Sequence, residues 1–274
     1  MSASDTSRTD EIGEVYDQMA ELIEVLGGNI HVGFWLGDDD PTPFLEAINR
    51  TTDVVGEKLG LRPGQTLLDV GCGAGVPAIR LGQRTDAVIT GITNSTWQVT
   101  EATRRVKAAG LKAQVRIEFG DAAALPYPDA AFDAVLAFQS LQHVEDSAVW
   151  IREMVRVVRP GGRVVLTEFT EEEPLTEEEL EIARAGGMER PRPADEVVAV
   201  ARDSGLEIDE VVSCGDNIRR SYPEYFKRLE RLRPHLVTAL GEDKVDQQRD
   251  AMGRLLPIYR DKIGYLIITG HRPD

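Results

Sequence analysis

Apolar positions along the chain alternate between two rhythms. Ile12, Val15, Met19, Leu22, Ile23 and Leu26 recur at helical spacing and are stopped by Gly27-Gly28. An irregular aromatic stretch, Asn29 to Trp35, follows, and a second helix is expected from about Pro43 to Leu59. From Pro63-Gly64 onward, short apolar runs alternate with amphipathic ones. Leu67–Val70, Ala87–Thr93, Val115–Phe119, Ala134–Phe138 and Arg163–Phe169 read as strands. Ala78–Arg84, Thr96–Ala109 and Ser147–Val158 read as the helices between them. The breaker Arg159-Pro160-Gly161-Gly162 closes the last of these helices. Further on, Ala194–Ser204 has a helical pattern, Ile208–Val212 a strand pattern, Pro223–Leu256 a mostly helical one broken near Gly241, and Tyr265–Thr269 a final strand pattern.

Strands that are apolar on both faces and alternate with helices predict an α/β fold. The sheet is doubly wound and mostly parallel, with helices on both faces. The expected layout is one domain over residues 1–274. Residues 1–60 form an N-terminal helical cap and 61–215 the core. A helical insert spans 216–262, before the last strand and tail at 263–274.

Composition narrows the function. Acidic residues number 47 against 31 Lys and Arg, a net charge of −16 that disfavours a phosphate-backbone partner, so no nucleic acid is expected. No run approaches the roughly 20 apolar residues that span a bilayer, so no membrane partner is expected. Residues 1–10 are polar, without a signal-peptide pattern, and with 2 cysteines a disulfide framework is not expected. The expected compartment is cytoplasmic, and the expected assembly is a monomer or homodimer. His31, His143, His235 and His271 lie far apart in sequence and form no metal-ligand spacing with Cys72 and Cys214, so no metal is expected.

The run Leu67-Leu68-Asp69-Val70-Gly71-Cys72-Gly73-Ala74-Gly75 joins a strand to a helix. Glycines there let the backbone approach a ligand closely. A dinucleotide site of the G-x-G-x-x-G kind needs glycine where this chain has Val76. The acid two residues before Gly71 suits a ligand carrying an ammonium group better than a pyrophosphate. With the ordered segments Gly91-Ile92-Thr93-Asn94-Ser95-Thr96-Trp97-Gln98, Gly120-Asp121-Ala122, Leu125-Pro126, Phe132-Asp133 and the Arg159–Gly162 turn, this run resembles the class I S-adenosylmethionine-dependent methyltransferases. Asn29–Trp35 and Ser140-Leu141-Gln142-His143 further resemble natural-product methyltransferases, including sugar O-methyltransferases of actinobacterial antibiotic pathways.

The resemblance implies S-adenosyl-L-methionine as cofactor and a small-molecule acceptor. Asp69, Gly71, Gly73 and Gly75 would hold the methionine half. Thr93, Asn94 and Gln98 would lie at the ribose, where many relatives carry an acid instead of Thr93. Asp121 and Ala122 would lie at the adenine, and Gln139 and His143 beside the cofactor. Tyr16, His31 and Trp35 would line the acceptor pocket. His143 is the candidate general base for a hydroxyl acceptor and Glu168 a second catalytic candidate across the pocket. A carboxylate paired with His143 would raise its pKa.

Other readings stay open. Carbon methylation of a prenyl diphosphate or an aromatic or indole metabolite is one. A non-catalytic S-adenosylmethionine-binding module is another. Arg219, Arg220, Lys227, Arg228, Arg231 and Arg233 form either an anion site or a solvated helix face, and Asp38-Asp39-Asp40 either a Mg²⁺ site or an exposed loop.

Overall fold

The structure is a computed structural model that describes residues 23–24, 28–144 and 146–274. The helix expected over 11–26 falls outside these except for Ile23 and Glu24, which are helical.

Seven strands make one sheet in the order β3-β2-β1-β4-β5-β7-β6. They are β1 (Thr66–Val70), β2 (Val88–Thr93), β3 (Val115–Phe119), β4 (Phe132–Ala137), β5 (Val158–Glu171), β6 (Glu207–Ser213) and β7 (Ile263–His271). The first five pair in parallel, while β7 runs antiparallel between β5 and β6. The doubly wound, mostly parallel sheet is therefore the architecture present.

Two-residue periodicity divides the core. Leu67, Ala134 and Leu136 point to one apolar layer, and Leu68, Val70, Val135 and Ala137 to the other. Both layers are sealed by helices. These are α1 (Phe44–Leu59), α2 (Val76–Thr85), α3 (Thr96–Ala108), α4 (Ser147–Val157), α5 (Glu177–Ala185), α6 (Ala194–Asp203) and the short α7 (Gly215–Ile218). The hairpin α8 (Ser221–Leu240) and α9 (Glu242–Asp261) has a small core of its own, Leu229, Leu236 and Val245.

Helix ends follow their caps. Ser95 accepts from the Gln98 N–H at the start of α3, Asp146 accepts from Ala148 at α4, and Thr176 and Glu179 form a reciprocal capping box at α5.

The breaker before the fifth strand behaves differently from its sequence reading. It lies inside β5 as a bulge where the register to β4 shifts. Gly161 N–H donates to the Arg272 carbonyl and Arg272 N–H to the Gly162 carbonyl, so the turn is held by the chain beyond β7. Gly161, at φ +66, takes a conformation that side chains disfavour.

Residues 29–35 thread between the sheet and α8 through main-chain bonds. Gly33 N–H donates to Ser221 Oγ and Trp35 N–H to the Asn217 carbonyl, both at 2.9 Å. The Tyr225 hydroxyl donates to the carbonyls of Asn29 and His31.

Candidate active site

The C-terminal ends of the central strands open into a cavity of about 900 Å³. Ligands of doubly wound sheets bind at this edge.

At the end of β1, the Asp69 side chain is buried, outside the residues that line this cavity, and neither carboxylate oxygen has a hydrogen-bond partner among the described residues. Burial pushes its pKa up from 3.8 to about 7. Such a carboxylate is complementary to an incoming cation. The three loop glycines play different parts. A Cβ on Gly71 would collide with the Ser140 side chain, and one on Gly75 would sit 2.9 Å from Ala102 Cβ on α3. Gly71 and Gly73 both line the cavity, but only Gly73 has nothing among the described residues within 4 Å of such a Cβ, so it alone of the three leaves open space for a ligand there.

At the end of β2, the Thr93 hydroxyl donates to Gln98 Oε1 at 2.5 Å. An amide oxygen can only accept, which fixes the donor. Thr93, Asn94 and Gln98 all line the cavity, and the cap by Ser95 coexists with that placement. At the end of β3, Asp121 Oδ1 accepts from the Ala123 N–H at 2.8 Å in an Asx turn. Neither Asp121 nor Ala122 is on the cavity wall.

Gln139, just past β4, sits on the wall at φ +51. Both polar ends of its side chain are used within the protein: Oε1 accepts from the Val32 N–H at 3.2 Å and Nε2 donates to the Tyr265 hydroxyl at 2.9 Å. It therefore fastens the N-terminal segment to the sheet.

His143 ends the short 3₁₀ turn Leu141–His143 and lines the cavity. Its Nδ1 lies 2.6 Å from the Gly187 carbonyl oxygen and its Nε2 3.4 Å from the Gln142 side-chain nitrogen. Burial lowers its pKa below 6.5, with the Gly187 hydrogen bond partly opposing. The sequence reading placed Glu168 across this pocket as a possible partner; the hydrogen bond at Nδ1 is made by the Gly187 carbonyl instead. Glu168 lines a second cavity of about 280 Å³, which shares only Gln142 and Val144 with the first. Burial pushes the Glu168 pKa up to about 8, against the pull of Arg192.

His31 lines the main cavity, stacked on Phe138 with ring centroids 4.2 Å apart, and burial lowers its pKa to about 4. Trp35 does not line it. Its ring is buried between Phe44 and the Arg220 guanidinium, and its Nε1–H donates to the Thr42 carbonyl. Tyr16 lies outside the described residues. Wall residues to which the sequence reading gave no individual role include Asn29, Trp97, Ser140, Gln142 and Trp150.

The charged runs are built into the fold. Asp40 accepts from the Leu36 and Thr42 N–H groups and pairs with Arg50. Arg219 pairs with Asp216 and Glu172, Lys227 with Glu224, and Arg233 with Glu242 and Asp246. Among the described residues, no group of three or more His, Cys, Asp or Glu is placed to hold a metal ion. No helix there is long and apolar enough to cross a membrane.

Five parallel strands, an antiparallel seventh, and a glycine loop with a buried unpartnered acid on the first strand define the class I methyltransferase architecture. Comparison with known proteins agrees. A family described as "Methyltransferase domain" matches residues 68–166. The chain is 37% identical to the 27-O-demethylrifamycin SV methyltransferase of Amycolatopsis mediterranei (strain S699), covering 96% of this chain and 97% of that one. It is 33% identical to methyltransferase GfsG of Streptomyces halstedii, covering 96% and 94%. The crystal structure of the 4+2 cyclase SpnF superposes with a TM-score of 0.86 at 32% identity, covering 97% of each chain. The chain belongs to the class I S-adenosylmethionine-dependent methyltransferases.

Proposed function

We propose that this enzyme transfers a methyl group from S-adenosylmethionine to a hydroxyl of a secondary metabolite, or of its sugar, with His143 as general base. The observation that carries this reading is the placement of the His143 imidazole, whose pKa burial lowers, on the wall of the same cavity that the glycine loop lines.

The residues present fit the cofactor. Asp69 offers a buried, unpartnered carboxylate for the ammonium group, and Gly73 leaves room for close backbone approach. Gly71 and Gly75 hold the loop's shape. Thr93, Asn94 and Gln98 take the ribose side. Asp121 and Ala122 take the adenine side one strand further along, and Gln139 acts by anchoring Val32 beside the site. When bound, S-adenosylmethionine supplies a methyl group activated by a positively charged sulfur. The cavity walls align the acceptor and exclude water, which is worth several powers of ten in rate. His143 Nε2 takes the hydroxyl proton as the oxygen attacks, contributing roughly 10²–10⁴-fold. His31 lines the acceptor side, and Trp35 braces the segment that carries His31.

The net charge of −16 supports a small uncharged acceptor over a nucleic acid, and two free, buried cysteines suit a reducing cytoplasm. The relatives named as a 27-O-demethylrifamycin SV methyltransferase and as O-methyltransferases support a hydroxyl oxygen as the acceptor.

A second reading has one specific support: a chain 32% identical is named as a cyclase. Incubation with methyl-labelled S-adenosylmethionine and a panel of hydroxylated polyketides and glycosides, including 27-O-demethylrifamycin SV, separates the two. The expected result is label in one acceptor as a methyl ether. An isomeric product of unchanged mass, with no label transferred, overturns methylation in favour of cyclisation.

A further inference from the structure

The loop after α5 reaches back over the 3₁₀ turn that carries His143. Two main-chain groups make the junction: the Gly187 carbonyl against His143 Nδ1 at 2.6 Å, and the Glu189 N–H donating to the Gln142 carbonyl at 2.8 Å. Between them, Met188 is buried in the main apolar core, which pins the loop in place. A carbonyl oxygen can only accept, so Nδ1 must carry the ring proton. In the neutral ring the lone pair then falls on Nε2. The Gln142 side-chain amide lies 3.4 Å from Nε2. The opposite assignment would set a lone pair against the Gly187 oxygen.

We infer that the main-chain carbonyl of Gly187 is the positioning group for His143, fixing the Nδ1–H tautomer that a proton-accepting Nε2 requires. This rests on reading His143 as the base, and it assigns the orienting role to the α5–α6 loop instead of Glu168. A carbonyl holds tautomer and ring angle without adding a negative charge. The imidazole therefore stays neutral yet oriented in its buried site. Gly187 suits the task because its φ of +85 aims the following carbonyl at the ring, a conformation other residues resist. A Cβ there would lie 3.9 Å from His143 Nδ1, an ordinary contact. An alanine at this position would thus act through backbone strain, turning the peptide and its carbonyl away.

The test needs no acceptor. The full-length protein, labelled with ¹⁵N-histidine and loaded with S-adenosylhomocysteine, is studied by long-range ¹H–¹⁵N correlation at pH 8. The His143 signals are identified by their loss in His143→Gln. The expected result is a protonated-type Nδ1 and an unprotonated-type Nε2. An Nε2–H tautomer, or averaged shifts, overturns the inference. Gly187→Ala is expected to move both nitrogens toward averaged values. Gly205→Ala, at an equally positive φ of +94 in another loop, is expected to leave them in place. Unmoved His143 shifts in a folded Gly187→Ala protein also overturn the inference. Its failure is separable from failure of the base assignment, which shows instead as undiminished methyl transfer by His143→Ala.

Discussion

The amide Nε2 of Gln139 donates to the Tyr265 hydroxyl at 2.9 Å, linking the end of β4 to β7 across β5. The same side chain accepts the Val32 N–H through Oε1. A single buried amide therefore holds the N-terminal segment, and with it His31, at the mouth of the strands. Gln139→Leu leaves the Val32 N–H without its acceptor and removes one of two side-chain bonds to the Tyr265 hydroxyl, which keeps Thr167, and an unsatisfied buried group costs about 1–3 kcal/mol. Chemical denaturation is expected to show a loss within that range or above it. An unchanged midpoint contradicts the bracing role.

Gly73 and Gly75 are expected to fail in different ways. Gly73→Val places a branched side chain at φ +53 in ligand space, so the affinity for S-adenosylhomocysteine should fall by at least about tenfold in a folded protein. Gly75→Val drives into Ala102, so its main effect should be on stability, about 1–3 kcal/mol by overpacking. Calorimetric titration and thermal melts of both variants check the division. Unaltered affinity in Gly73→Val contradicts the proposed cradle.

Asp69 makes a pH-dependent contribution whose sign is opposite to that of a paired carboxylate. Its pKa is raised from 3.8 to about 7, so between those values the native protein holds a proton that the unfolded chain has lost. Stability of the ligand-free protein from this source is lost as pH rises from about 4 to about 7. Asp69→Asn should remove that dependence and stabilise the ligand-free protein at pH 8, while abolishing cofactor binding. Cofactor binding by the wild type at pH 6 should release protons, seen as a binding enthalpy that varies with the ionisation enthalpy of the buffer. No such variation at pH 6 contradicts the buried, unpartnered state of this acid.

The sheet was legible because its strands are apolar on both faces and its helices carry their own stops and caps. Leu67–Val70 and Thr96–Ala109 were readable to within a residue or so. The Arg159–Gly162 turn read as a boundary because its hold on Arg272 is a long-range main-chain bond that no local pattern encodes. The glycine loop was legible as a unit, but not its division of labour, which depends on Ser140 and Ala102 arriving from elsewhere. Asp121 satisfies its own turn and Trp35 is buried away from the cavity. Both lie near the site in chain order, but side-chain direction decides what each touches. Glu168 shows the same limit: the end of β5 is near His143 in topology, yet the loop around Gly187 lies against the imidazole instead.

His143 is lowered in pKa, not raised as a carboxylate partner would have made it. The lowered pKa favours the neutral, proton-accepting ring at neutral pH. The most direct measurement is a single-turnover pH–rate series of methyl transfer, wild type against His143→Ala, with the acceptor found by the labelled-methyl screen. Wild type should be flat near neutrality and fall only below pH 6.5, as the ring protonates. His143→Ala should be roughly 10²–10⁴-fold slower, lack that acid limb, and still bind S-adenosylhomocysteine. Identical pH–rate curves for the two proteins, at comparable rates, would contradict the assignment of His143 as the base.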